Sequence, residues 1–410
     1  MSKASTNEFV PEIRFPEFRG HWIQKTLGES FEERSERNRS DLPLLSLGEN
    51  GLVYQSETAR KDNSNADKSK YLRVAFGDIA YNTMRMWQGR CVCAGIEGIV
   101  SPAYTVCKPK EGVDSLFHYY LFKTQRMIQV FHQHSQGLVS DTLNLKYDSF
   151  SKIKYLIPPT LAEQEKIAQF LSEADEMISA QEQKVEFLKA HKKGLMQQLF
   201  PQPGATTPAL RFPGFTGKWQ EKKLNRVFSR VTRKNAENNQ NVLTISAQYG
   251  LISQLEFFKK SVASSDVTGY YLLHKGEFAY NKSSSQGRPV GAIKPLRLYD
   301  KGVVSTLYIC FKCNNPEEID FWEQYFDAGI LDSEILSIAQ EGARNHGLLN
   351  ISTGDFFGLN VILPTPPEMK KIAECLSSFD DVITAAENEL DSLKAHKKGL
   401  MQQLFPQPVK

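Results

Sequence analysis

The sequence predicts an α+β protein arranged as a pseudo-two-fold internal repeat. Two similar globular α+β domains are separated by two long helices that pair as an antiparallel coiled coil. Three observations lead there. The string LKAHKKGLMQQLFPQP occurs at Leu188–Pro203 and again at Leu393–Pro408, an offset of 205 residues and half of the 410-residue chain. Ahead of each copy, apolar residues recur every three and four positions, the period of a coiled-coil seam. The stretches between mix short β-rich runs with helical ones, too irregularly for a doubly wound sheet.

The repeat extends beyond the identical string, and such self-similarity organises everything else. PPTLAEQEKIAQFLSEADEMI (Pro158–Ile178) aligns with LPTPPEMKKIAECLSSFDDVI (Leu363–Ile383), and IRFPEFRGHW (Ile13–Trp22) with LRFPGFTGKW (Leu210–Trp219). GDIAYN (Gly77–Asn82) aligns with GEFAYN (Gly276–Asn281), and GIVSPAYTV (Gly98–Val106) with GVVSTLYIC (Gly302–Cys310). The expected segments are residues 1–158, a helix within 159–203, residues 204–363, and a helix within 364–410. The ends of each half are nearly the same, while the middles keep only scattered Gly, Tyr and Asn landmarks. One shared job with two different specificities gives that pattern; so does neutral drift in surface loops.

Each long helix starts after a proline-rich turn. Thr160 with Glu163 three residues on is the capping-box pattern. The first seam runs through Ile167, Leu171, Ala174, Ile178, Gln181, Val185, Leu188, Lys192, Leu195 and Leu199. The second runs through Ile372, Leu376, Phe379, Ile383, Ala386, Leu390, Leu393, Lys397, Leu400 and Leu404. Pro201 and Pro406 stop the helices at matching points. Helices of ~60 Å need a partner for such a seam; each supplies the other, the alternative being that each folds back on its own domain. Lys189, His191, Lys192 and Lys193, and again Lys394, His396, Lys397 and Lys398, read as cations complementing a helix C-terminus. Phosphate contact or docking of a partner subunit is the alternative for them.

The middles (25–157 and 222–362) place β-rich runs DIAYN, GIVSPAYTVC, KGVVSTLYICFK and FFGLNVILP among helical stretches near Ser115–His134 and Pro316–Ala339. After GDIAYN comes TMRMWQGR, and after GEFAYN comes KSSSQGRP: amide, hydroxyl and guanidinium groups directly following a strand. A second loop pair is QGLVSDTLN (Gln136–Asn144) and EGARNHGLLN (Glu341–Asn350). Arg pairs bidentately with guanine and Asn or Gln with adenine, so the candidate DNA-contacting residues follow. They are Asn82, Thr83, Arg85, Gln88, Arg90, Gln136 and Ser140 in the first half. In the second they are Asn281, Lys282, Ser284, Gln286, Arg288, Arg344, Asn345 and His346.

Composition narrows the function class. No apolar run approaches the ~20 residues of a membrane span, and the first residues lack the apolar core of a signal peptide. Six cysteines among 410 residues suit a reducing cytoplasm, so the expected setting is cytoplasmic. Phosphate-cradling GxxxxGK[ST], dinucleotide GxGxxG and zinc HExxH patterns are missing. Cys310-x-x-Cys313 lacks a second ligand pair and Cys91-x-Cys93 falls in a strand, so both read as packed thiols and no metal site is expected. Recognition surface without a reaction centre makes the chain an adaptor, not an enzyme. The 50 Lys and Arg nearly balance 47 Asp and Glu, a net charge of +3.

Taken together, PPTLAEQEKIAQFL at Pro158–Leu171, PTPPEMKKIAECL at Pro364–Leu376, the RFPEF/RFPGF and GLMQQLFP repeats and the duplication resemble the specificity subunit of type I restriction–modification systems, over essentially the full length. The second copy departs from the pattern, with Met369 and Lys370 where the first has Gln164 and Glu165. The resemblance implies two target-recognition domains, each reading one half of a bipartite double-stranded DNA site. It implies spacer helices that dock two methyltransferase subunits, with Ile167, Leu171, Ile178, Leu188, Ile372, Leu376, Ile383 and Leu393 in the coiled-coil contact. Those subunits would carry S-adenosylmethionine and methylate adenine N6, and motor–nuclease subunits would use ATP and Mg. This chain would bind no cofactor. The competing class is a coiled-coil scaffold whose globular halves bind proteins.

Overall fold

Both expected helices form, each as one 39-residue element, Leu161–Leu199 and Pro366–Leu404. All twenty seam residues read from the sequence are buried or half-buried, including the polar Gln181, Lys192 and Lys397. The computed structural model describes residues 10–48, 51–58, 64–139, 142–246, 250–258, 266–283, 289–339, 347 and 349–406. Two compact units divide the chain, one comprising residues 1–182 with 388–410 and the other residues 183–387. Each unit therefore holds a length of both helices.

Within each unit the two helices run antiparallel. In the first, Asp175 pairs with Lys397 and Glu182 with Lys394, so the partner number falls as the helix advances. In the second, Lys189 pairs with Glu387 at 2.8 Å and Lys192 with Asp380 at 2.5 Å. These pairs correct the helix-dipole reading of the basic clusters. The dipole acts within the last turn, whereas Lys189 and Lys192 stand two or more turns before Leu199, and their charge goes to acids of the facing helix.

The first unit is built on a four-stranded antiparallel sheet in which Tyr104–Pro109 lies between Phe31–Glu33 and Ile79–Asn82, with Cys91–Cys93 beyond. The second repeats it, Ile309–Cys313 lying between Phe228–Arg230 and Phe278–Asn281, with Ala292–Pro295 beyond. In each unit a hairpin and a second antiparallel pair accompany this sheet: Leu45–Gly48 with Gly51–Tyr54 and Leu72–Val74 with Gly98–Val100, then Leu243–Ser246 with Gly250–Ser253 and Tyr271–His274 with Lys301–Val304. Two of the β-rich runs are thus divided between two sheets. GIVSPAYTVC breaks after Val100 and KGVVSTLYICFK after Val304, because a turn intervenes in each. In FFGLNVILP only Asn360–Leu363 is strand, its Phe356 and Phe357 belonging to the short helix Thr353–Gly358. The Gly at or next to the start of each divided run has a packing reason. A Cβ on Gly98 would lie 2.5 Å from Leu45, and one on Gly302 2.5 Å from Leu243.

The near-identical ends of the halves are explained by what they touch. Leu404 and Phe405 enter the aromatic core of the first unit, where Phe405 meets Trp22 and Phe117. Leu199 and Phe200 enter the core of the second, where Phe200 meets Trp219 and Phe321. In the RFPEF strap, Arg14 grips buried Glu163 bidentately at 2.7 and 2.8 Å, and Trp22 Nε1 donates to the same carboxylate at 3.2 Å. In the RFPGF strap, Arg211 grips buried Glu368 at 2.6 and 2.7 Å. Only half of the capping box is therefore made. The Glu163 amide donates to Thr160 Oγ1 at 3.4 Å, while the Glu163 carboxylate goes to the strap.

All six cysteines are free. Burial pushes the Cys91 and Cys310 thiols up to about 12 and the Cys93 and Cys313 thiols up to about 11, so they are neutral packing groups. Cys310 and Cys313 are three apart on one strand and face opposite sides of it. Among the described residues, no group of three or more His, Cys, Asp or Glu could hold a metal ion. No helix among them is long and apolar enough to cross a membrane.

Candidate nucleic-acid interface

The strand Ile79–Asn82 delivers the first candidate loop. Asp78, buried at its start, accepts from Arg34 at 2.6 and 3.1 Å and from the Ala75 amide at 2.7 Å. Glu277 plays the same part in the second unit, bound by Arg233 at 3.1 Å to each oxygen and by the His274 amide at 2.8 Å. The acidic residue of GDIAYN and GEFAYN is thus an anchor that fixes the strand. Nothing in the spacing marked it for that role; only the chain reversal that brings Arg34 and Arg233 alongside does.

At the other end of the strand Asn82 Oδ1 accepts the Met84 amide at 3.0 Å, and Asn281 Oδ1 accepts the Ser283 amide at 3.1 Å. Both candidate Asn side chains thereby close an Asx turn that starts the loop. Thr83 is held too, its amide and hydroxyl both donating to the Ala103 carbonyl at 3.1 Å. A single 3₁₀ turn, Met86–Gln88, follows. Met86 is fully buried beneath it, and Trp87 donates its indole N–H to the Met84 carbonyl at 3.0 Å while its ring meets His132 edge-on. Met86 and Trp87 were not among the sequence candidates, yet they stake down the loop. Arg85, Gln88 and Arg90 are left exposed on a fixed backbone. Arg90 also lines a cleft of about 340 Å³ with Leu47, Tyr119 and Lys123.

The structure brings the two candidate loops of each half together. In the first unit the Leu145 amide donates to the Thr83 carbonyl at 2.9 Å; in the second the Leu349 amide donates to the Lys282 carbonyl at 3.0 Å. Gln136 and Asn144 exchange both backbone hydrogen bonds, at 2.9 and 2.8 Å, and cinch the base of the second loop. Gly137 belongs there, at φ 153°, because a Cβ would lie 2.6 Å from the Thr142 carbonyl oxygen. The Gln136 side chain is exposed, as are Leu138 and Val139 beyond it. In the second unit Lys282 is half-buried and donates to the Ile351 carbonyl at 3.4 Å, burial holding its ammonium below the usual lysine range. Ser140, Ser284, Gln286, Arg288, Arg344, Asn345 and His346 lie outside the described residues.

Each half thus has a strand fixed by an ion pair to a buried carboxylate, an Asx turn, and a backbone hydrogen bond that ties its two loop segments together. In the first unit this arrangement offers the guanidinium and amide groups of Arg85, Gln88 and Arg90 on a preorganised backbone, which suits the reading of base edges. Residues 28–190 match the family described as "Type I restriction modification DNA specificity domain". That stretch is similar to a type I specificity domain. The chain is also 25% identical over 372 residues to the type I restriction enzyme MjaVIII specificity subunit of Methanocaldococcus jannaschii, covering 82% of each protein. The fold is that of a type I system S subunit from M. genitalium, with TM-score 0.55 and 13% identity over 98% of this chain and 100% of that one. A chain from a structure described as the basis of complex assembly and conformational transition of a type I R-M system matches with TM-score 0.55 and 13% identity, over 95% of this chain and 98% of that one. The resemblance drawn from the repeated motifs holds, and a protein-binding scaffold is not favoured.

Proposed function

We propose that this chain is the DNA sequence-recognition subunit of a type I restriction–modification complex, each half reading one part of a bipartite site. The observation that carries it is the pairing of two divergent loops on the same fixed scaffold, made twice in one chain. On this reading residues 1–158 and 204–363 are the reading heads, and the helices within 159–203 and 364–410 set their spacing and dock two methyltransferase subunits. Those subunits supply S-adenosylmethionine and methylate adenine N6. Motor–nuclease subunits bring ATP and Mg, and this chain itself holds no cofactor and performs no catalysis.

The division of labour follows from the chemistry. Contacts to base edges specify the sequence, while Lys and Arg on phosphates position the complex without reading it. A net charge of +3 on 410 residues gives this chain little non-specific pull on DNA, so tight binding belongs to the assembled complex. The test is a gel-shift titration with the methyltransferase subunits present, repeated across salt concentrations. Affinity for target DNA should fall steeply with salt, as phosphate contacts require. Failure of the complex to bind its target DNA more tightly than unrelated DNA at any salt concentration would refute the assignment.

A further inference from the structure

Asp175 and Asp380 occupy equivalent places on the two long helices, 205 residues apart. Each is the meeting point of three elements. In the first unit Lys397 of the second helix pairs with Asp175 Oδ1, and Tyr120, on the globular helix Ser115–Phe122, donates to Asp175 Oδ2 at 2.8 Å. In the second, Lys192 of the first long helix pairs with Asp380 Oδ1 at 2.5 Å, and Gln324, on Ile319–Asp327, donates to Asp380 Oδ2 at 2.8 Å. A phenol in one half and an amide in the other make the same bond to the same carboxylate oxygen. The bond, and not a particular side-chain shape, is what the two halves share.

We propose that these two nodes are positioning devices. Each fixes a reading head to both helices in one register, and together they set the distance between half-sites that the complex accepts. The inference rests on the DNA-reading assignment above. An apolar heptad seam by itself discriminates poorly against a slip of one heptad, which moves a helix by ~10 Å, about three base pairs of DNA. A lysine at a seam position removes that tolerance. Lys192 and Lys397 have side chains only 11% and 16% exposed. Any other register strands such an ammonium against apolar groups without its carboxylate, whereas the observed register satisfies it. The flanking pairs, Lys189–Glu387 and Lys394–Glu182, are more exposed and contribute less. The second oxygen of each Asp then ties the head to that register.

The experiment uses the chain assembled with its methyltransferase subunits and a DNA library holding both half-sites at a series of spacer lengths. Methylation of each library member is counted by sequencing. The wild-type complex should prefer one spacer. In Asp175→Asn, Asp380→Asn and Lys192→Met, discrimination against spacers about three base pairs longer or shorter should fall by about tenfold, the scale of one broken coupling between contacting residues. Preference at each half-site should stay unchanged. The charge-reversed pair Lys192→Asp with Asp380→Lys should regain discrimination to within about threefold of wild type. Tyr120→Phe and Gln324→Leu remove only the head bond and keep the seam intact, so they carry the test if the Asp variants fail to fold; each should relax the spacer on its own. Folded variants that keep spacer discrimination within twofold of wild type would overturn the proposal while leaving the DNA-reading assignment standing. A wild-type complex that modifies DNA with no bipartite preference would overturn both.

Discussion

Acidification should destabilise the first unit through one residue, His118. Its imidazole is fully buried among Phe31, Phe117 and Phe122; Nδ1 lies 2.6 Å from the Asp114 carbonyl and Nε2 2.9 Å from Tyr155 Oη. Burial pushes its pKa from the ordinary 6.5 down to about 4; the bond to the Asp114 carbonyl opposes the shift and Lys25 adds a little to it. A depressed histidine pKa means that the unfolded chain takes up the proton first. The contribution of neutral His118 to stability is therefore intact above pH 6.5, declines as pH falls, and is fully lost below about 4. At pH 5 the difference in proton binding amounts to about 2 kcal/mol, with a ceiling of about 3 kcal/mol below pH 4. The second unit has Trp322 at the matching place in its helix and lacks this liability. The assay is equilibrium urea unfolding at pH 7 and pH 5 for wild type and His118→Gln. The variant should lose about 2 kcal/mol less than wild type between the two pH values. An identical loss in both proteins would refute the reasoning.

The strap that closes each unit makes a second expectation. Glu163→Ala leaves Arg14 unpaired and nearly buried, its side chain 12% exposed, at a cost of about 3–5 kcal/mol and a fall in melting temperature of about 10 °C. Arg14→Met with Glu163→Leu should be milder than either single change, because no charge is stranded; calorimetry comparing the three decides. A heptad inserted into both helices, within Ile167–Leu188 and within Ile372–Leu393, lengthens the antiparallel pair by ~10 Å. The permitted spacer should grow by about three base pairs with the half-sites unchanged, as read by methylation of a spacer library.

Periodicity carried most of the fold. A heptad spacing is a geometric statement, so every seam position from Ile167 to Leu404 was legible, Gln181 and the two lysines included. What those lysines do was not legible. Lys192 finds Asp380 only because the helices run antiparallel in one register, and a one-dimensional string of charges does not give that register. The strand ahead of each candidate loop was legible from GDIAYN and GEFAYN. Its anchoring was not, since Arg34 and Asp78 are 44 residues apart and meet through the sheet. The same limit explains the loops: Asn82 and Asn281 were read for base-pairing chemistry, while their carbonyl oxygens are used locally to shape the turn. Met86 and Trp87 were passed over because an apolar pair inside a polar loop has no periodicity to mark it.

The measurement that tests the central claim most directly is methylation mapping of DNA modified by the complex after residues 25–157 are exchanged for the corresponding stretch of another specificity subunit. One half of the methylated sequence should change while the other half and the spacer between them stay as they were. A change in both halves together would contradict that claim.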